Sequence, residues 1–121
     1  MIFRTALIAG AMVLTLGASF APAQAAGSVV VVEQFGVNNA FGAAQRGHRN
    51  RLTVHQSGYG NSALSAQTGA HNRVVIGQEG RNNFADSHQR GRSNIAGIAQ
   101  FGKGHTAITT QDGYGNAIGV I

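Results

Sequence analysis

Glutamine recurs at a constant step of 11 residues, at Gln34, Gln45, Gln56, Gln67, Gln78, Gln89, Gln100 and Gln111. Two places after each stands a glycine, at Gly36, Gly47, Gly58, Gly69, Gly80, Gly91, Gly102 and Gly113. Five places after each stands Asn39, Asn50, Asn61, Asn72, Asn83, Asn94 and Asn116, with His105 as the exception. Eight consecutive units without an insertion leave few folds open, because a short fixed period marks an architecture in which each unit packs only on its neighbours.

Each asparagine is separated from the next glutamine by a stretch that reads as a strand. The four residues between glutamine and asparagine, always including glycine, read as a tight turn. Side chains alternate along a strand, so the asparagine, the residues two and four places on, and the glutamine share one face. Segments beginning at Ser28, Asn50, Asn72, Asn94 and Asn116 put Val30 and Val32, Leu52 and Val54, Val74 and Ile76, Ala96 and Ile98, and Ile118 and Val120 on that face. Segments beginning at Asn39, Asn61, Asn83 and His105 put Phe41 and Ala43, Ala63 and Ser65, Ala85 and Ser87, and Ala107 and Thr109 there.

Large and small pairs therefore alternate, and the repeating unit is 22 residues: strand, turn, strand, turn. The expected fold is all-β, a two-sheet β-solenoid of about four and a half coils in which coils stack about 4.8 Å apart, hydrogen-bonded between coils. Aliphatic side chains of one sheet meet small ones of the other and fill a thin core. Inward amides recur in every coil, so each glutamine and asparagine is expected to bond its counterpart above and below, satisfying groups whose unpaired burial costs about 1–3 kcal/mol each.

Ahead of the repeats, Arg4 precedes an uncharged apolar run at 5–16, and a small-residue site, Ala-Gln-Ala, follows at 23–25. This pattern predicts a secretory signal peptide over residues 1–25 and a single repeat domain over 26–121. The run is shorter than the ~20 residues a membrane-spanning helix needs. The chain has no cysteine, so no disulfide supports it outside the cell, and its one proline, Pro22, lies in the leader. Every backbone donor of the repeats is thus free for sheet pairing.

The net charge is +5, or +4 once Arg4 is removed with the leader. A basic balance favours acidic partners, and Arg46, Arg49, Arg90 and Arg92 fall in turns along one edge, where extracellular DNA or acidic polysaccharide could bind. Equally, such charges keep a monomer soluble and slow its association. The four carboxylates, Glu33, Glu79, Asp86 and Asp112, are not brought to one pocket by the repeat, and a core this thin leaves no cleft for catalysis. Of the five histidines, His48 and His71 are expected to neighbour each other in adjacent coils, but no three or four ligands converge as a metal site needs. No enzyme activity, cofactor or metal is expected.

The first and last strand segments are apolar and carry no evident cap, and open strand edges are templates for a further copy. Head-to-tail addition of identical solenoids gives a filament. The pattern Ser-x5-Gln-x-Gly-x2-Asn-x-Ala-x3-Gln resembles the repeat of curlins, the subunits of bacterial curli fibres. Segment 50–67 carries it as Gln56, Gly58, Asn61, Ala63 and Gln67, with Asn50 in place of the leading Ser. Segment 28–45 keeps Ser28 but has Phe41 in the Ala slot, 72–89 keeps Ala85, and 94–111 keeps Ala107.

The resemblance implies an extracellular functional amyloid of the biofilm matrix that supports adhesion. Its implied partners are further copies of itself, another curlin subunit or nucleator, and an outer-membrane secretion channel reached through the periplasm. Major curlins carry a Gly/Asn-rich secretion segment that has no counterpart here. The basic charge resembles a nucleating minor subunit and the unbroken repeats a major one, so both grades stay open. The competing expectation is a non-polymerising secreted solenoid that binds polyanions or a surface.

Overall fold

The computed structural model describes residues 27–121 in full and residues 2–8 as backbone. Ten strands follow one another: β1 (Ile2–Ile8), β2 (Val29–Val37), β3 (Ala40–His48), β4 (Arg51–Tyr59), β5 (Ser62–Ala70), β6 (Arg73–Arg81), β7 (Phe84–Arg92), β8 (Ile95–Lys103), β9 (Thr106–Tyr114) and β10 (Ala117–Val120). No helix occurs among the described residues. One sheet holds β1-β2-β4-β6-β8-β10 and the other β3-β5-β7-β9. Within the repeats every pairing is parallel and joins residues 22 apart, as in Gln34↔Gln56 and Gln45↔Gln67. The molecule is a two-sheet β-solenoid of about four turns, with β10 opening a fifth.

The turns are tighter than the glutamine-to-asparagine spacing suggests. Strands β2 to β9 are each nine residues long, and only two residues separate one from the next. The repeat glycine lies inside the strand and not in a four-residue loop. Its φ of 108–124° bends the chain there, and two places later a second positive-φ residue, such as Asn38, Arg49 or Gly60, completes the reversal. Gly58 shows why no other residue serves: a Cβ there would overlap the carbonyl oxygen of Gly80 in the next coil, and φ is 117°. Each coil thus approaches its neighbour through bare backbone at both corners.

Burial follows the alternation of the strands. Val32, Leu52, Val74, Ile76 and Ala85 are fully buried, and Val30, Phe41, Ala43, Val54, Ala63, Ala96, Ile98 and Ala107 complete one continuous core. At roughly 25 cal/mol per Å² of apolar area, each large side chain contributes on the order of 2 kcal/mol relative to exposure. The expectation of a buried Ile118 and Val120 does not hold. Ile118 is 38% exposed, and Val120 is partly buried against the core. β10 is hydrogen-bonded to β8 alone, so no further coil covers these side chains.

The edge of β2 is also occupied. β1 runs antiparallel along it, from Ile2↔Phe35 to Ile8↔Val29, so this edge is covered in the full chain. That strand lies in the segment expected to be a leader. Its apolar stretch beyond residue 8 and the expected cleavage site fall outside the described residues.

Candidate functional site

The two glutamine ladders run the length of the solenoid. In the first sheet Gln34 Nε2 donates to Gln56 Oε1 at 2.6 Å, Gln56 to Gln78 at 2.8 Å and Gln78 to Gln100 at 2.8 Å. In the second, Gln45 donates to Gln67 at 2.6 Å, Gln67 to Gln89 at 3.1 Å and Gln89 to Gln111 at 2.7 Å. The second N–H of each interior amide crosses the core to a carbonyl of the facing sheet, as in Gln56 Nε2 to Ala40 O at 2.9 Å and Gln67 Nε2 to Arg51 O at 3.0 Å. These amides bind coil to coil and sheet to sheet at once. All donate in the same direction, which gives the stack a polarity.

The asparagines work differently from a side-chain ladder. Asn39 Oδ1 accepts from the backbone N–H of Asn61, Asn50 from Asn72, Asn61 from Asn83, Asn72 from Asn94 and Asn94 from Asn116, at 3.1–3.2 Å. Each Nδ2 donates to the carbonyl four residues back and, in the interior coils, to the repeat glycine of the next coil. Asn61 does so to Ser57 O at 3.0 Å and Gly80 O at 3.2 Å. Asparagine has one methylene fewer than glutamine, so its amide stays within reach of the main chain. It thereby gives the carbonyls at the glycine bend a side-chain donor while the strand ladder continues through the bend. Asn83 reaches Gly102 O and Asn94 reaches Gly113 O in the same way, and Asn116 Nδ2 donates to Asp112 O.

Variation in the column follows from this geometry. Ser28 begins one asparagine column, where Asn50 N donates to its Oγ at 3.3 Å. His105 ends the other and is needed only as a backbone donor, to Asn83 Oδ1 at 3.0 Å. At the two ends of the second glutamine ladder, Gln45 Oε1 and Gln111 Nε2 are buried without a hydrogen-bond partner. One is an acceptor and the other a donor.

The chemistry-bearing side chains stay on the outside. His88 Nε2 lies 2.9 Å from Asp86 Oδ1, His55 Nδ1 3.4 Å from Glu33 Oε2, and Arg90 4.0 Å from Asp112. His48 and His71 meet edge to face with ring centroids 6.0 Å apart. No group of three or more His, Cys, Asp or Glu able to hold a metal occurs among the described residues. Of the four arginines expected along one edge, Arg46 and Arg90 share a column interrupted by Thr68 and closed by Asp112. A continuous line of charge is therefore broken within one chain. Sequence reasoning missed the convergence of Arg49, Arg51 and Arg73, which the repeat carries from one turn and two successive strand starts to one place.

Parallel coils in a single register, locked by one-directional amide ladders, define a cross-β solenoid. The sequence model of the curlin-associated repeat matches residues 47–80 and again 80–113, more than half of the chain. The chain belongs to the curlin family, and is by that membership a curli-type structural subunit. The hydrogen-bond pattern extends past the matched segments, from Ser28 to Asn116. No curated protein and no solved structure matches the chain.

Proposed function

We propose that this curlin is a fibre-forming subunit of an extracellular functional amyloid that supports adhesion and biofilm matrix. In this reading it is secreted as residues 26–121 and grows by strand addition at the ends of its solenoid. The observation that carries it is the polarity of the ladder. An acceptor at Gln45 and a donor at Gln111, both buried and unpaired, are complementary across a head-to-tail joint in which the entering β2 takes the place of β10 on β8. Leaving them unpaired costs about 1–3 kcal/mol each, which a second copy in the same register relieves.

The inward amides Gln34 to Gln111 and Asn39 to Asn116 are then assembly residues, and the repeat glycines keep successive backbones close enough for the ladder. Removal of the leader also removes β1 and frees the edge of β2. Heterologous addition does not close on itself, so the product is a filament. A second curlin that nucleates growth and an outer-membrane channel for export are the partners this role requires.

The test is direct. The processed chain at tens of micromolar should show a lag and then thioflavin-positive fibres with a meridional reflection near 4.8 Å. Persistence as a monomer under these conditions contradicts the proposal and favours a non-polymerising solenoid. The exposed arginines support a subsidiary reading in which the fibre surface holds extracellular DNA or acidic polysaccharide, seen as retention that falls steeply with salt.

A further inference from the structure

Where the second sheet hands the chain back to the first, a cleft of about 300 Å³ is lined by Arg49, Arg51, His71 and Arg73, among others. No carboxylate lines it. Arg51 and Arg73 are in-register partners of β4 and β6, so two guanidinium-bearing side chains start one strand spacing apart on the same face. Like charges placed directly opposite in a sheet repel. Among the described residues, the ion pairs are His55 with Glu33, His88 with Asp86 and Arg90 with Asp112, and none reaches these three arginines.

A second observation concerns the backbone. Arg49 has φ 57°, in the turn slot that holds Asn38 one turn earlier and Gly60 one turn later. Glycine and asparagine accept that conformation readily, and arginine does not. His71 occupies the same slot one coil on, at φ 59°. The chain therefore places a bulky cation at a position where the fold prefers a small residue, beside two further cations with no counter-ion. Such a departure from the repeat is what a ligand site leaves behind.

We propose that this cleft binds one phosphate-type oxyanion, held by the guanidinium forks of Arg49, Arg51 and Arg73. Planar forks with several N–H donors match the oxygens of a tetrahedral anion, and three of them neutralise its charge. The site does not require polymerisation, because all its residues lie within one chain.

The experiment is equilibrium dialysis of the full chain against ³²P-labelled inorganic phosphate at low ionic strength, which reads binding by monomer or fibre alike. Saturable uptake of one phosphate per chain is expected. The Arg51→Gln/Arg73→Gln variant should bind at least tenfold more weakly. The Arg90→Gln/Arg92→Gln variant, with the same loss of charge elsewhere, should stay within twofold of the parent. Arg49→Gly removes a cation while relieving the turn, so it should weaken phosphate binding and raise stability together, which guards against a loss caused by misfolding. Competition with an oligothymidylate separates the sources. Displacement assigns the site to phosphate within a diester chain and retention to the free anion, and each upholds the proposal. Unsaturable uptake, or equal weakening by the two double variants, overturns it.

Discussion

Replacing Gln67 with alanine tests the amide ladder where it is most connected. Gln67 is 1% exposed, accepts from Gln45 Nε2 at 2.6 Å, and donates to Gln89 Oε1 at 3.1 Å and to Arg51 O at 3.0 Å. The variant deletes three hydrogen bonds and orphans Gln89 Oε1 and one N–H of Gln45, while Arg51 O keeps its place in the strand ladder. At about 1–3 kcal/mol for each of the two buried groups left unpaired, the expected loss is on the order of 2–6 kcal/mol. In a fibre the readout is the concentration of soluble chain remaining at equilibrium, and about 1.4 kcal/mol changes it tenfold. Against an unfolded soluble chain, Gln67→Ala should therefore raise it by at least about tenfold.

Gln111→Ala is the informative partner to this variant. Within one chain Gln111 only accepts from Gln89, at 2.7 Å, and its own N–H groups are unpaired, so a folded monomer should lose about 1 kcal/mol. In the filament Gln111 becomes an interior rung, and its cost should approach that of Gln67→Ala. A soluble concentration within threefold of the parent for Gln67→Ala refutes the ladder as the source of cohesion. Equal effects of the two variants on a monomer refute the end-to-middle asymmetry.

Five further outcomes follow from the same geometry. Gly58→Ala forces a Cβ into Gly80 O at a φ of 117° and should abolish assembly, whereas Gly97→Ala, with open space around the added methyl, should be neutral or stabilising by up to about 1 kcal/mol by urea denaturation. Ile76→Ala, in a position with no exposure, should destabilise by about 2–5 kcal/mol in the same assay. Ser65 Oγ is buried without a partner, so Ser65→Ala should raise stability by about 1 kcal/mol or more, seen as a higher urea midpoint. Chain that retains residues 1–25 keeps β1 over β2, and seeded growth should then proceed from one fibre end only, as seen by time-lapse microscopy.

The period of the repeat carried most of the fold because it acts at the level of register. An 11-residue step with alternating large and small inward pairs allows one pairing, residue i with i+22, and the strands pair in that way from Val29↔Arg51 to Val120↔Ile98. Periodicity names the residues that stack, however, and not the atoms that bond. Glutamine and asparagine looked equivalent, and a single methylene sends one amide to its own kind and the other to the main chain. Glycine at a fixed place signalled a turn, while its actual task, inside the strand, is to let one carbonyl approach the next coil, a constraint visible only in three dimensions. The arginine cleft was hidden because Arg49 occupies a turn slot of the repeat while Arg51 and Arg73 share a strand slot, and column-by-column reading never sets the first beside the other two. β1 was set aside with the leader, so its pairing with β2 had no sequence signal to announce it.

The central claim is that a fibre of this chain stacks coil upon coil of one molecule before reaching the next. Dipolar recoupling between single ¹³C carbonyl labels at Ala63, in fibres grown from the processed chain, measures this directly. In the solenoid the neighbours of Ala63 are Phe41 and Ala85, so identical labels are separated by at least about four strand spacings, near 19 Å, and show no measurable coupling. A coupling that corresponds to about 5 Å would mean that each residue stacks on its own copy in the next molecule, and would contradict the account.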